Sequence, residues 1–443
     1  MEIFKKFVLF YLRFLSKIQI KKINPIIIGV AGSSGKSSTS HLLGLILQTK
    51  FKIRQSGGKN SETGIPLSIL SISPKNYSFA DWLRIVALAF FRILFDWEKY
   101  DIYIAEMGID GPKEPKNMSY LLKIIKPKIG VLTNISLEHS QYFDSLVKED
   151  ILEKREEEIL FLTAKEESKI LTSIPQTGTA VINSDDKETD KYLSRISSKK
   201  VLVSLKNKSA DFFAKNIEPA IDSFKFSFIN NGKEHRVKIN QPLPSHYAYS
   251  ILFAISASLE TGLTLEEAIK ALELNFSLPP GRLGFFEGIK DSLIIDSSYN
   301  NATLLPLLDI LDMLKKIGAQ KRKIAILGDM RELGTVSGRQ HEIVAEKILQ
   351  TCDFAVLIGP LMQKFVSPVL IAKKFAFYEF PNFTESKDKI RDLIKPGDLV
   401  LVKSSQNTLY LERIVEILLK NLKDKEKLCR RGEFWDKKRE EAL

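Results

Sequence analysis

Apolar positions along the chain follow two rhythms. Short β-branched runs alternate with longer stretches in which apolar residues recur every three or four positions. The first rhythm marks strands buried on both faces of a parallel sheet, and the second marks helices with one packed face. Pro25 to Val30, Ile102 to Ala105, Ile129 to Leu132 and Ala180 to Ile182 read as buried strands. Helical stretches cover Phe7 to Ile20, Trp82 to Trp97, Ser119 to Ile125 and Leu152 to Lys169. That alternation predicts α/β layering.

The pattern changes over Ile217 to Ile239, where short alternating segments flank Asn230-Asn231-Gly232, a signal for an antiparallel hairpin. An alanine-rich helix is expected over His246 to Thr261. Pro279-Pro280-Gly281 then breaks the chain. Beyond it Leu293 to Ile295, Lys323 to Leu327, Phe354 to Ile358 and Leu399 to Val402 supply a second set of strands, the mark of a smaller Rossmann-like domain. We expect an N-terminal amphipathic helix over residues 1–24, a central domain over 25–279 with a mostly parallel sheet, and a C-terminal α/β domain over 280–443. The Lys/Glu-rich tail from Lys420 onward is expected to be a solvated helix or a disordered end.

Length and charge agree with that division. A chain of 443 residues exceeds what one core sustains. The formal charge of +12 suits phosphorylated partners, but lysines are interspersed with glutamates and no arginine-rich tract appears, so no nucleic-acid partner is expected. Cys352 and Cys429 are far apart and lack metal-ligand spacing, which fits a reducing cytoplasm. The two apolar stretches before residue 98 carry Arg13, Lys17, Arg84 and Arg92, and are read as helices that do not span a bilayer. Peripheral membrane contact through either one is the minority reading.

The chemistry begins after the first strand. Gly32-Ser33-Ser34-Gly35-Lys36-Ser37-Ser38 lies between that strand and a helix expected from about Thr39, the setting a phosphate loop requires. Its glycines let backbone amides close on phosphate oxygens, and the helix N-terminus adds partial positive charge. Lys36 would reach the β- and γ-phosphates and Ser37 would hold magnesium. The strict pattern asks for glycine where Val30 stands.

This loop resembles that of the Mur ligase family, and further segments agree in order. Asn60-Ser61-Glu62-Thr63-Gly64-Ile65-Pro66-Leu67, Glu106-Met107-Gly108, Thr133-Asn134-Ile135 with His139, and Asn183-Ser184-Asp185-Asp186 each match a family segment. In the C-terminal half Pro280-Gly281-Arg282-Leu283, Asp296-Ser297-Ser298-Tyr299-Asn300-Asn301 and Leu327-Gly328-Asp329-Met330-Arg331-Glu332-Leu333-Gly334 with His341 are similar to the branch that adds D-alanyl-D-alanine to a muramyl peptide.

The resemblance implies an ADP-forming amide ligase acting through an acyl phosphate, with ATP and Mg2+ as cofactors. Its acceptor would be a small-molecule or nucleotide-sugar peptide, its donor an amino acid or dipeptide, and its state a monomer. It implies nucleotide contacts from Gly32 to Ser38 and from Arg282, Asp296 and Asn300, and metal ligands at Ser37, Glu106 and His139. The family places a carbamylated lysine after the metal-binding histidine; counting back from Asn183 puts Glu167 there and Lys165 two residues earlier, and both stand as candidates. Only about one helix precedes Pro25, where the dipeptide-adding branch carries a uridine-nucleotide domain. Related amide ligases of folate polyglutamate or cyanophycin type are therefore the alternative, and an ATP-binding scaffold at the membrane surface is the alternative of another class.

Overall fold

The computed structural model describes residues 2–96, 98–138, 140–299, 303–405 and 409–441. It separates into two compact units: Met1–Asn216 with Phe226–Val237 and Tyr247–Phe276, and Ser277–Leu443 with Ile217–Lys225 and Lys238–His246.

The first sheet holds β1 (Ile26–Ala31), β2 (Ile53–Gln55), β3 (Ile102–Glu106), β4 (Ile129–Leu132), β5 (Thr179–Asn183), β6 (Lys199–Ser204), β7 (Phe212–Pro219), β8 (Phe224–Asn230) and β9 (Lys233–Ile239). Their order is β2-β3-β1-β4-β5-β6-β7-β8-β9. Strands β1 to β6 pair in parallel. Both faces of the central strands are covered, so β3, β4 and β5 are buried at every position, as continuous apolar runs require. Asn231 and Gly232 join β8 to β9 with φ 49° and 73°, the two left-handed positions of a type I′ hairpin.

The order places β1 between β3 and β4. The chain leaves β1 for β2 and β3 on one side and continues to β4 on the other. Ligands of open α/β sheets bind where the order reverses in this way, outside the carboxyl ends of the strands.

Helix Glu2–Ile23 is longer than the apolar stretch that predicted it. Its Val8, Leu12 and Leu15 pack with Leu67, Leu70, Ile72, Ile85 and Ala89. Truncating a side chain such as Leu12, fully buried, costs about 2–5 kcal/mol in comparable cores. The helix is therefore part of the first unit. Helix Phe79–Phe95 packs less than expected, with only Asp81, Ile85 and Ala89 buried. Among the described residues no helix is long and apolar enough to cross a membrane.

The second sheet holds β10 (Gly284–Glu287), β11 (Leu293–Ser297), β12 (Lys323–Gly328), β13 (Phe354–Ile358), β14 (Phe377–Phe380) and β15 (Leu399–Lys403). Its order is β10-β11-β15-β12-β13-β14, antiparallel only at β10–β11. The tail departs from the expectation of a solvated end. Leu428, Cys429, Arg430 and Arg439 are buried, because the chain between the short helices Leu422–Lys427 and Glu433–Glu440 folds back onto its own unit.

Candidate functional site

β1 ends at Ala31, and Gly32 to Gly35 turn the chain into helix Lys36–Leu47, three residues earlier than the sequence suggested. Gly32 and Gly35 have φ of 121° and 80°, where side chains are strained. A Cβ at Gly32 would stand 2.3 Å from Thr133 Oγ1. The loop thus lies flush against the end of β4.

That strand end fixes the loop's shape. Asn134 O accepts the Ser33 N–H at 2.8 Å, Asn134 Oδ1 accepts the Ser34 N–H at 2.8 Å, and the Thr133 hydroxyl donates to Ser34 O at 2.6 Å. The end of β5 supports it in turn. Asn183 Nδ2 donates to Thr133 O at 2.8 Å and Asp186 Oδ2 accepts the Ile135 N–H at 2.6 Å. Burial pushes the Asp186 carboxyl above its ordinary value, against the hydrogen bonds that hold it down. Neither Asn183 nor Asp186 was among the candidate site residues; the Asn183-Ser184-Asp185-Asp186 turn was the signal for both.

Lys36 Nζ lies over the loop, donating to Ser33 O at 2.7 Å and to Gly32 O. Ser37 Oγ donates to Glu106 Oε1 at 2.7 Å. Glu106, the last residue of β3, is 4% exposed, and its backbone N–H donates to Ser56 Oγ at 3.0 Å. Ser38 turns inward instead, its hydroxyl 3.4 Å from Tyr247 OH. Helix Tyr247–Leu259 passes beside the loop, with Ser250 Oγ 3.5 Å from a Cβ built at Gly35.

A serine hydroxyl and a carboxylate side by side at the start of the loop's helix are hard oxygen donors. Magnesium characteristically takes one or two such protein oxygens and fills its remaining positions with water and phosphate oxygens. The donor set fits that ion. Among the described residues no group of three or more His, Cys, Asp or Glu side chains could hold a metal alone. His139 lies outside the described residues, as does Asn300.

The two rival residues on helix Leu152–Glu167 separate cleanly. Glu167 is 2% exposed and its Oε2 accepts the Gly32 N–H at 3.1 Å. Lys165 is exposed. Positions two apart on a helix point about 200° away from each other, so one helix cannot bring both to the loop.

The second unit carries its own polar cluster. Asp296, at 0% exposure, accepts from the Ser298 N–H at 3.0 Å and hydroxyl at 2.6 Å through Oδ1, while its buried Oδ2 has no hydrogen-bond partner among the described residues. Burial pushes its pKa up, against Ser298 and the charges of Arg430 and Arg431. Arg282 lies over the Tyr299 ring at 5.6 Å, and Arg430 is 4.8 Å from the same ring. Arg430 Nη1 also donates to Glu412 Oε2 at 2.7 Å, an ion pair with side chains 1% and 0% exposed. The sequence reading missed Arg430 and Glu412. The Arg430-Arg431 doublet in an otherwise Lys/Glu-rich tail was the available signal.

His341 and Asp329 have structural work to do. His341 is fully buried, its Nε2 accepts the Met330 N–H at 3.1 Å, and burial lowers its pKa. Asp329 Oδ1 accepts the N–H groups of Leu361 and Met362 at 3.0 and 2.9 Å. Together they pin the loop after β12.

Sheet order and glycine loop place the chain among phosphate-loop proteins of the α/β class. It belongs to the Mur ligase family: residues 30–258 match the Mur ligase middle domain and residues 281–406 the Mur ligase glutamate ligase domain.

Curated relatives include the UDP-N-acetylmuramoyl-tripeptide–D-alanyl-D-alanine ligase of Escherichia coli K12, 26% identical over 72% of this chain and 61% of that protein. The ligase of the same name from Borreliella burgdorferi is 25% identical over 92% of this chain and 77% of that protein. The chain thus spans less than two thirds of the E. coli relative's length. Among solved structures, MurF from Thermotoga maritima in complex with ADP aligns with TM-score 0.73 at 23% identity, covering 93% of this chain and 84% of that one. MurF from Acinetobacter baumannii aligns with TM-score 0.72 at 20% identity, covering 92% and 79%. These likenesses carry the fold.

Proposed function

We propose that the chain is an ATP-dependent, ADP-forming ligase that joins a carboxylate to an amine through an acyl phosphate, adding D-alanyl-D-alanine to a muramyl peptide in the cytoplasm as a monomer. The observation that carries the reading is the phosphate loop with Lys36 above it and the Ser37–Glu106 pair at its end. Family membership and the names of the curated relatives support the substrate pair.

The physical problem is charge. A carboxylate must approach the γ-phosphoryl group of ATP, and two anions repel unless the charge between them is neutralised. The N-terminus of helix Lys36–Leu47 and the Lys36 ammonium supply positive potential that is already oriented before the reaction. Magnesium, when bound at Ser37 and Glu106, supplies further charge neutralisation along the phosphates. We assign His139 to the same metal site on the resemblance. Glu167 rather than Lys165 is the residue that supports the site, because its carboxylate reaches Gly32 directly. Arg282, Asp296 and Asn300 stand as proposed nucleotide contacts of the second unit, also on the resemblance. Transfer of the phosphoryl group leaves an acyl phosphate; the amine attacks its acyl carbon, and the tetrahedral species expels phosphate.

Incubating the chain with ATP, magnesium, UDP-muramyl tripeptide and D-alanyl-D-alanine tests the reading by mass spectrometry. A product heavier by the dipeptide, formed with ADP, is expected. Absence of that product together with extension of a folyl glutamate would move the chain to the folate type.

A further inference from the structure

The helix Glu2–Ile23 buries one face and leaves an apolar stripe on another. Ile3, Phe7, Phe10, Phe14 and Ile18 recur in steps of 4, 3, 4 and 4, which keeps them on one line of the helix. They are 86%, 51%, 58%, 52% and 36% exposed.

Helix Phe79–Phe95 does the same. Leu83, Phe90, Phe91, Leu94 and Phe95 are 45% to 73% exposed. Phe4 meets Phe79 with ring centroids 5.1 Å apart, and Tyr11 OH donates to Val86 O at 3.3 Å. Phe4 and Tyr11 lie about 20–120° round their helix from the stripe residues. The two stripes therefore flank one helix–helix seam and form a single outer surface. Ten such side chains expose on the order of 1,000 Å², whereas the largest apolar patch of a typical monomer covers about 300–600 Å².

Charge decides the occupant. The first helix carries Lys5, Lys6, Arg13, Lys17, Lys21 and Lys22 against the single acid Glu2. Lys6 and Lys17, both exposed, lie about 60–80° round the helix from the stripe's midline. On the second helix the one acid, Asp81, is buried and bonded to Arg84 and to the N–H groups of Lys75, Asn76 and Tyr77. Two copies meeting through this face would bring like charges together. An anionic lipid surface satisfies both features, receiving the aromatic stripe at headgroup depth and the lysines at the phosphates.

We propose that the paired helices Glu2–Ile23 and Phe79–Phe95 form a surface that docks the protein, without insertion across the bilayer, onto anionic membrane lipid. The surface is separate from the phosphate loop and does not depend on what the ligase joins.

Co-sedimentation of the full chain with vesicles tests this. Binding is expected to phosphatidylcholine vesicles containing about a third phosphatidylglycerol, weakening with salt, and not to phosphatidylcholine alone. Phe10→Ser/Phe14→Ser and Lys6→Glu/Lys17→Glu should each lower binding at least about tenfold while ATP turnover with soluble substrates and the far-ultraviolet circular dichroism stay unchanged. No binding to the anionic vesicles, or binding that survives both double substitutions, would overturn the proposal. So would a concentration-dependent dimer, seen by analytical ultracentrifugation, that Phe10→Ser/Phe14→Ser abolishes.

Discussion

Oε2 of Glu167 accepts the backbone N–H of Gly32 at 3.1 Å across 135 residues of sequence. A carboxylate is thereby fixed at the rim of the phosphate loop. Lys165, on the opposite side of the same helix, is exposed.

Glu167→Gln is therefore expected to lower kcat by roughly 10- to 100-fold, the range seen when groups supporting a metal site are removed. Lys165→Ala should leave it within about twofold. Added bicarbonate should stimulate neither the wild-type chain nor Lys165→Ala. Bicarbonate-dependent activity lost in Lys165→Ala would show that the lysine is the working group.

Glu106→Ala removes the carboxylate from Ser37. Activity should then need more magnesium, with the half-saturating concentration rising about tenfold or more. Glu106→Gln, which keeps an oxygen but loses the charge, should fall between the two. An unchanged magnesium titration in both variants would remove Glu106 from the metal site.

Gly32→Ala tests the loop's seat. The added Cβ would meet Thr133 Oγ1 at 2.3 Å and Asn134 O at 2.9 Å, on a backbone with φ 121°. Backbone strain of this kind costs about 1–3 kcal/mol, and the loop must also shift off β4. Nucleotide affinity, measured by calorimetry, should drop at least about tenfold, with the unfolding midpoint lowered only modestly.

Asp296 and Glu412 give the second unit a pH dependence. Burial raises both carboxyls above their ordinary values, with the charge of Arg430 opposing it at each. A carboxyl whose pKa is higher folded than unfolded contributes stability that is fully present below the unfolded value and is lost as pH rises through the folded one. Thermal midpoints should therefore fall as pH rises out of the ordinary carboxylate range. Asp296→Asn keeps the oxygen that accepts from Ser298, so it should raise the midpoint at neutral pH and flatten this slope. If Asp296 contacts the nucleotide, the same variant should raise KM for ATP; together the two effects would separate stability from function.

The parts of the molecule that could be read from sequence are those where local pattern and tertiary role coincide. β1 and the loop after it combine the β-branched run Ile26-Ile27-Ile28 with glycines at the two left-handed positions, Gly32 and Gly35, so one short segment states both fold and chemistry. The same holds for β3 with Glu106 and β4 with Thr133 and Asn134. β2 and β14 escaped notice because they are three and four residues long and only partly buried, and β6 because it opens on two exposed lysines. Counting put Glu167 and Lys165 forward together, since which of the two meets Gly32 depends on the face that helix Leu152–Glu167 turns to the loop. The tail was misjudged for a related reason. Its composition is that of a solvated segment, while Arg430 is held by Glu412, 18 residues before it, and by the far more distant Tyr299.

We expect the loop at the end of β1 to turn over ATP only when there is an acid to activate and an amine to receive it. Phosphate release by the full chain, followed with ATP and magnesium, should require UDP-muramyl tripeptide and D-alanyl-D-alanine together and should disappear in Lys36→Ala. Equal release with neither substrate present, or undiminished release from Lys36→Ala, would remove this loop from ATP-driven amide ligation.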